Sequence, residues 1–537
     1  MTQQESLNKP ESPSGSVDDT RSAMEIVVAD IVAEALGISE VPTGTSIFAL
    51  GATSLSVVRI CAQLEQATGI KVLISQLFRT PTVAALGAWL AARASGQGSA
   101  AATEHASGGL VALTPMQVAG IGMDIVASNV WWIDGRVDPD ALGRAATDVH
   151  RRHQALHARY VTSGPALGYA ILPADPGSAK FIHLPDAETD AAAVVAARAT
   201  LDRPFRIDEG DVWRCVLISS AASGRSILGV AADHTAYDGP SGAIIARELA
   251  AAYDARRAGR APEFGEPVAS LAQIESEYHQ QLASTDIDTQ RQYWRDEFRG
   301  LQPCYFPDRS SEYRPHGTGP VAEPVFMLGP AQLASWQAYG RAKGMTPFVW
   351  FAAAYTQALI GAGAPQDPGI MFGIANHSSD LVDRSVTCRV IFAFLRPNGP
   401  TRSGSNLLAR THDAYNGAMA ALEGRLSHEE IPEAVGRSAA EFPMLQALPH
   451  VMFLEGAART IKLGDASGTV AEEFAEWGTG PADLSTAVTY LPATNEMVIK
   501  VPVRIDAYPA ELADQIGDLL LEIIAAGPEQ LEKSTTA

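Results

Sequence analysis

Two short segments hold side chains whose types and spacing suit chemistry. The first is Phe48-Ala49-Leu50-Gly51-Ala52-Thr53-Ser54-Leu55, where a serine hydroxyl stands at the head of a run with apolar residues at Leu55, Val58, Cys61 and Leu64. That spacing predicts a helix from Ser54 to Gly69. A helix N-terminus carries partial positive charge and unpaired N–H groups, so a phosphodiester attached there is favoured. The plainer reading makes Ser54 only an N-cap. The second segment is Asp233-His234-Thr235-Ala236-Tyr237-Asp238-Gly239-Pro240-Ser241. It closes the run Ser226 to His234, which is short, mostly apolar and bounded by turn residues, as a buried strand is. An imidazole held at a buried strand end titrates near neutral pH and suits moving or orienting a proton. The plainer reading makes His234 a structural loop histidine.

These segments need a scaffold, and the 537 residues divide naturally to supply one. Residues 1–22 are polar, without periodic apolar pattern, and read as a flexible leader. Residues 23–93 read as a helix bundle. Its first helix carries the rows Val27, Ile31, Ala35 and Val28, Val32, Leu36 and is closed by Gly37. A further helix is expected to open at Thr80-Pro81 and to turn Val83, Leu86, Trp89 and Leu90 inward. Residues 94–109 are small and polar and read as a flexible tether. The remainder alternates strand-like and helix-like segments. The helical stretch after Gly239 is expected to end at Tyr253, Pro347 to Leu359 reads as a buried helix, and Met371–Ala375, Val390–Leu395 and Met497–Val503 read as strands. A mixed α/β unit of this size exceeds one core, so two lobes are expected, 110–285 and 286–537.

Composition narrows the function. Forty Lys and Arg against 61 Asp and Glu leave a net charge of −21, which disfavours nucleic-acid and anionic-membrane partners. No apolar run reaches the roughly 18 residues of a membrane span, and the polar N-terminus lacks a signal-peptide core. Four cysteines without a CxxC pair argue against a disulfide framework or a zinc site, and the expected compartment is the cytoplasm.

The Gly51-Ala52-Thr53-Ser54-Leu55 run, its flanking Phe48 and Leu50, and the length of the helical unit resemble the peptidyl carrier domains of nonribosomal peptide synthetases. The family more often has Gly-Gly-(His/Asp)-Ser-Leu. The resemblance implies that Ser54 carries 4′-phosphopantetheine, whose thiol holds an acyl group, and that a phosphopantetheinyl transferase installs it. The large unit, through His234-x-x-x-Asp238-Gly239, resembles condensation domains, with a two-lobed chloramphenicol-acetyltransferase-like fold. Leu113-Thr-Pro-Met-Gln117, Arg152-His-Gln-Ala-Leu156, Gln290 with Tyr293-Trp294, Met345-Thr-Pro-Phe348 and Leu426-Ser-His-Glu-Glu-Ile-Pro432 follow in the family's order. The resemblance implies an acyltransferase that joins a thioester to an amine or hydroxyl, forming an amide or ester, with His234 as the catalytic side chain.

Departures from the family pattern lie around that histidine. Asp233 stands where His is usual; neighbours on a strand point to opposite faces, so Asp233 is expected to face away from His234. Asp238 is expected to brace the turn, with His377 of Gly373-Ile-Ala-Asn-His377 in place of the family's Arg. Gly239 is expected to permit a backbone conformation or a close approach that a side chain would block. Asp233-x4-Asp238-x2-Ser241 also fits heterocyclization domains, which act on Cys, Ser or Thr. A third alternative is an inactive fold that recruits partner proteins. Without an adenylation motif in the sequence, a separate adenylation or loading enzyme is expected to charge the carrier, and the acceptor to be free or bound to another carrier protein. Limited proteolysis is expected to cut first in 1–22 and 94–109, leaving a large fragment; early cuts inside 110–530 with the tether intact would contradict this organisation.

Overall fold

The computed structural model describes residues 22–94 other than 53, and 110–533 apart from short stretches, the longest being 118–124. All but the last residue of the leader and all but the first residue of the tether lie outside the described residues.

The small domain is a bundle of four helices, Ala23–Leu36, Ser54–Thr68, Ile74–Arg79 and Val83–Ala94. Ser22 and Glu25 close the first helix reciprocally, Ser22 Oγ accepting from the Glu25 N–H and the Glu25 carboxylate from the Ser22 N–H at 2.7 Å. Gly37 ends it at φ 65°, a left-handed cap that favours glycine. Val28, Val32, Leu64, Leu77, Leu86 and Leu90 fill the centre. Two expectations need correction. The six-residue helix Ile74–Arg79 was not expected, being too short to show a period. The last helix begins at Val83 rather than Pro81, because Thr82 Oγ1 accepts from the Ala85 N–H and Thr80 ends the preceding turn.

The large domain has two halves, each built on a six-stranded sheet. In the first, the order is Thr460–Leu463, Ala466–Val470, Val126–Asp134, Ser226–Asp233, Trp213–Ser219, Phe181–His183. In the second it is Val390–Leu395, Ile370–Ala375, His450–Leu454, Ser485–Leu491, Glu496–Lys500, Val325–Leu328. The first sheet therefore takes two strands from residues that follow most of the second half, so the halves are not divided by one cut in the chain. Helices Pro139–Arg152 and Gly239–Arg257 cover one face of the first sheet over Trp131, Cys215, Leu228 and Val230. Helix Asp190–Leu201 covers the other. In the second half, Pro347–Gly361 is buried on nearly every side, which is why its sequence is apolar all round. The helix after Gly239 runs on to Arg257, past the expected end at Tyr253. The expected strand Met497–Val503 breaks after Lys500, since Pro502 offers no N–H to continue the ladder. Among the described residues no helix is long and apolar enough to cross a membrane.

The small domain is seated against the large one. Its Ser54–Thr68 helix packs on the turn Asp380–Asp383, and Ile74–Arg79 packs on helix Leu407–Ala420. Ser75 Oγ donates to Glu423 at 2.7 Å, the Lys71 ammonium meets the Glu277 carboxylate, and Phe78 meets Tyr415 edge to face at 5.4 Å. Lys71→Glu would set two carboxylates against each other there, and is expected to release the small domain, seen as a larger radius of gyration in small-angle scattering.

Candidate active site

Strand Ser226–Asp233 is buried along its whole length and pairs with Val126–Asp134 so that Asp233 lies opposite Val126, the last pair in register. His234 leaves the ladder one residue later, yet its N–H is still satisfied, donating to the Ile125 carbonyl at 2.9 Å. The tight turn that follows is fixed from within and from outside. Asp233 Oδ1 accepts from the Thr235 N–H at 2.8 Å. Gln117 of the Leu113–Gln117 segment donates from Nε2 to the Thr235 carbonyl at 2.8 Å, while Gln117 and Thr114 hold each other. The opening motif of the large domain thus serves to pin the histidine's turn.

Asp238, four residues on, is fully buried and caps helix Gly239–Arg257. Its Oδ1 accepts from the Ser241 N–H at 3.1 Å and the Ser241 hydroxyl at 2.7 Å. Its Oδ2 faces His377 Nε2 at 2.9 Å and accepts the Arg389 N–H at 2.8 Å. Burial by itself would push this carboxyl up; the facing His377 and the bonds from Arg389 and Ser241 outweigh it and hold the carboxyl below its ordinary range. The structure thus brings His377 to Asp238, the two residues lying 139 apart in the chain. His377 Nδ1, also buried, has no hydrogen-bond partner among the described residues.

Gly239 does not do what was expected of it. Its φ is not left-handed, and a Cβ there would meet open space, because it is the exposed first residue of the helix. The close approach lies three residues on, at Gly242, where a Cβ would strike Asn129 Oδ1 and the Tyr237 hydroxyl, which are bonded to each other. Cys388, read from the sequence only as one of four cysteines without a CxxC pair, and Arg389 were given no site role there. Cys388 Sγ lies 3.7 Å from His234 Nδ1. Arg389 is held by Glu275 at 2.8 Å, with its guanidinium over the Tyr278 ring. No local pattern marks either residue, since each reaches the site only through the second half's sheet.

Three further motif segments act as structural braces. Arg152 Nε and His153 Nε2 grip Glu248 at 3.0 and 2.8 Å, while His153 Nδ1 accepts from the Val386 N–H, which ties the first half to the second. Gln290 and Trp294 fasten their helix to the Gly424 N–H and the Ala421 carbonyl. Ser427 and Glu430 form a reciprocal helix start.

In the small domain, Ser54 is the first residue of a 15-residue helix. It follows Gly51, which sits at φ 100° with open space where a Cβ would be. The partial positive charge of a helix N-terminus favours a phosphodiester there. A cavity of about 480 Å³ lies at the seam of the two domains, lined by Glu65, Lys71, Arg79 and Trp89 on one side and Glu277 and Gln280 on the other. It is not at His234.

A helix bundle is joined to a two-lobed α/β unit with a histidine at a strand end where the lobes meet, and each unit matches a known family. Residues 27–90 match the phosphopantetheine attachment site family and residues 125–346 the condensation domain family. The chain belongs to the nonribosomal peptide synthetases, as a carrier domain followed by a condensation domain. Over 421 residues, 73% of this chain, it is 28% identical to the probable non-canonical nonribosomal peptide synthetase CymA of Salinispora arenicola, of which it spans 5%. It is 29% identical over 179 residues to the nonribosomal peptide synthetase atnA of Emericella nidulans, covering 33% of this chain and 2% of that protein. The chain therefore spans a small fraction of the curated relatives it matches. In fold it is similar to the X-domain from teicoplanin biosynthesis, with a TM-score of 0.67 and 21% identity, covering 82% of this chain and 100% of that one. It is also similar to the condensation domain of the monacolin K polyketide synthase MokA, with a TM-score of 0.63 and 16% identity, covering 78% and 96%.

Removing the Asp238 carboxylate strands His377 and the Arg389 N–H in a dry site. Asp238→Ala is therefore expected to cost about 3–5 kcal/mol of stability, read as a lower denaturation midpoint. Because the folded carboxyl is held low, its contribution is complete above the ordinary carboxylate range near ~4 and fades as pH falls through the folded value. The difference between wild type and variant is expected to shrink in acid.

Proposed function

We propose that Ser54 bears the phosphopantetheine arm and that the condensation domain transfers the acyl group held on that arm to an amine or hydroxyl, with His234 as the side chain that receives the nucleophile's proton. The observation that carries this reading is the bracing of the His234 turn between the two halves, through Asp233, Gln117 and the fully bonded Asp238. Phosphopantetheine supplies the thiol through which the acyl group is held. Everything else is asked of the chain. A thioester is already reactive, so the protein's task is to orient the nucleophile and relieve it of its proton. The nucleophile forms a C–N or C–O bond to the acyl carbon, the C–S bond breaks, and the proton passes by way of His234 to the released thiol. Asp238 and His377 are positioning residues: they hold the strand end that carries His234. Asp233 acts on the same turn. A phosphopantetheinyl transferase and a loading enzyme are the partners this reading requires, and the seated carrier supports service to its own condensation domain.

A second reading is favoured by one likeness. The X-domain from teicoplanin biosynthesis has also been solved in complex with OxyB, so a condensation fold can serve as a docking platform. Heterocyclization is separated by product mass: loss of one further water beyond acyl donor plus acceptor would support it.

Ser54→Ala is expected to abolish attachment of the arm in intact-mass measurements. His234→Ala, still folded by circular dichroism, is expected to lower acyl transfer from the loaded carrier by roughly 10²- to 10⁴-fold. Near-wild-type transfer in His234→Ala would remove the histidine from the mechanism. The absence of transfer with every loaded carrier, together with tight binding of a partner enzyme, would favour the docking reading.

A further inference from the structure

We infer that Cys388 is the positioning residue for His234: its sulfur accepts the Nδ1–H of the imidazole and leaves Nε2, with its lone pair, to face the nucleophile. The inference rests on the proton-accepting reading of His234. A strand-end backbone bond fixes where His234 begins but not how its ring is turned or which nitrogen bears the proton. In a neutral imidazole one nitrogen donates and the other accepts, and the partner of one decides the state of the other. The ring's partner is Cys388 Sγ, 3.7 Å from Nδ1.

The place of that sulfur is itself over-determined. On one side of it Thr387 is tied to Ser241, its N–H donating at 3.2 Å to the Oγ that also lies 3.0 Å from its carbonyl. On the other side Arg389 gives its N–H to Asp238. Cys388 therefore lies between two residues bonded to the same Asp238–Ser241 unit that ends the His234 turn, and the sulfur and the ring share one frame. The thiol is buried at 2% exposure. Burial, chiefly, drives its titration well above the ordinary range, so it stays a neutral thiol beside the histidine and cannot compete as a thiolate nucleophile. The N–H···S contact is weak in energy. What it provides is a choice of tautomer and ring angle, made before substrate arrives.

The test uses the full chain with ¹⁵N-labelled histidine, the His234 signals being assigned by their loss in His234→Ala. The wild type is expected to show His234 with its proton on Nδ1. Cys388→Ala is expected to lose that preference and to lower kcat for acyl transfer by about 10- to 100-fold, with KM for the acceptor little changed. Cys388→Ser keeps an acceptor at nearly the same place and is expected to recover the tautomer and most of kcat. A wild-type proton on Nε2, or an unchanged tautomer in folded Cys388→Ala, would overturn the inference. Because the tautomer is read without turnover, its result stands apart from the proposed reaction. An inactive wild type, or an active His234→Ala, would defeat the proton-accepting role while the nitrogen signals still decide what Cys388 does.

Discussion

A carboxylate with no exposure to water sits at the meeting point of the two halves, and the site is arranged around its needs. Asp238 has about four acceptor positions, and four donors reach it: His377 Nε2, the Arg389 N–H, and the Ser241 N–H and hydroxyl. Ser241 and Asp238 belong to the first half; His377 and Arg389 come from segments bordering the second half's sheet. An isolated buried carboxylate is too costly to keep ionised, so the first half's turn is stable in this form only when the second half is in place. The histidine inherits its position from that dependence.

The same logic extends outward. Arg389 gives its backbone to Asp238 and its guanidinium to Glu275, on helix Leu271–Ala283. That helix also carries Glu277, which receives the Ser379 hydroxyl at 3.0 Å and meets Lys71 of the carrier. Ser379 caps the turn two residues after His377. The carrier's seat and the brace of the active-site turn therefore share a helix and a loop. Glu423, which holds the carrier's Ser75, follows helix Leu407–Ala420, the helix whose Tyr415 faces Phe78.

Residues close in sequence were the ones legible from it. Helices in the carrier declared themselves through period and glycine caps, and the strand before His234 through its apolar run and bounding turns. The short Ile74–Arg79 helix was not legible, because six residues hold less than two turns. Gly239 misled for a related reason: glycine after aspartate suggests a strained turn, yet the steric demand fell on Gly242, where the Asn129–Tyr237 pair crosses the helix. Thr460–Val470 could not be placed in the first sheet from local pattern, since its partners lie more than 300 residues earlier in the chain.

By itself, then, the sequence determined the two-domain order, the serine at a helix start, the histidine at a strand end and the acidic surface. These depend on period, on caps and turns, and on charge, all of which act within a few residues or sum over the whole chain. Tertiary structure alone decided what surrounds the histidine. Cys388 lies 154 residues from His234, and Arg389 lies 151 from Asp238. Their arrival is a consequence of bringing the two halves together, where every desolvated polar atom must find its partner from whatever segment the packing brings near.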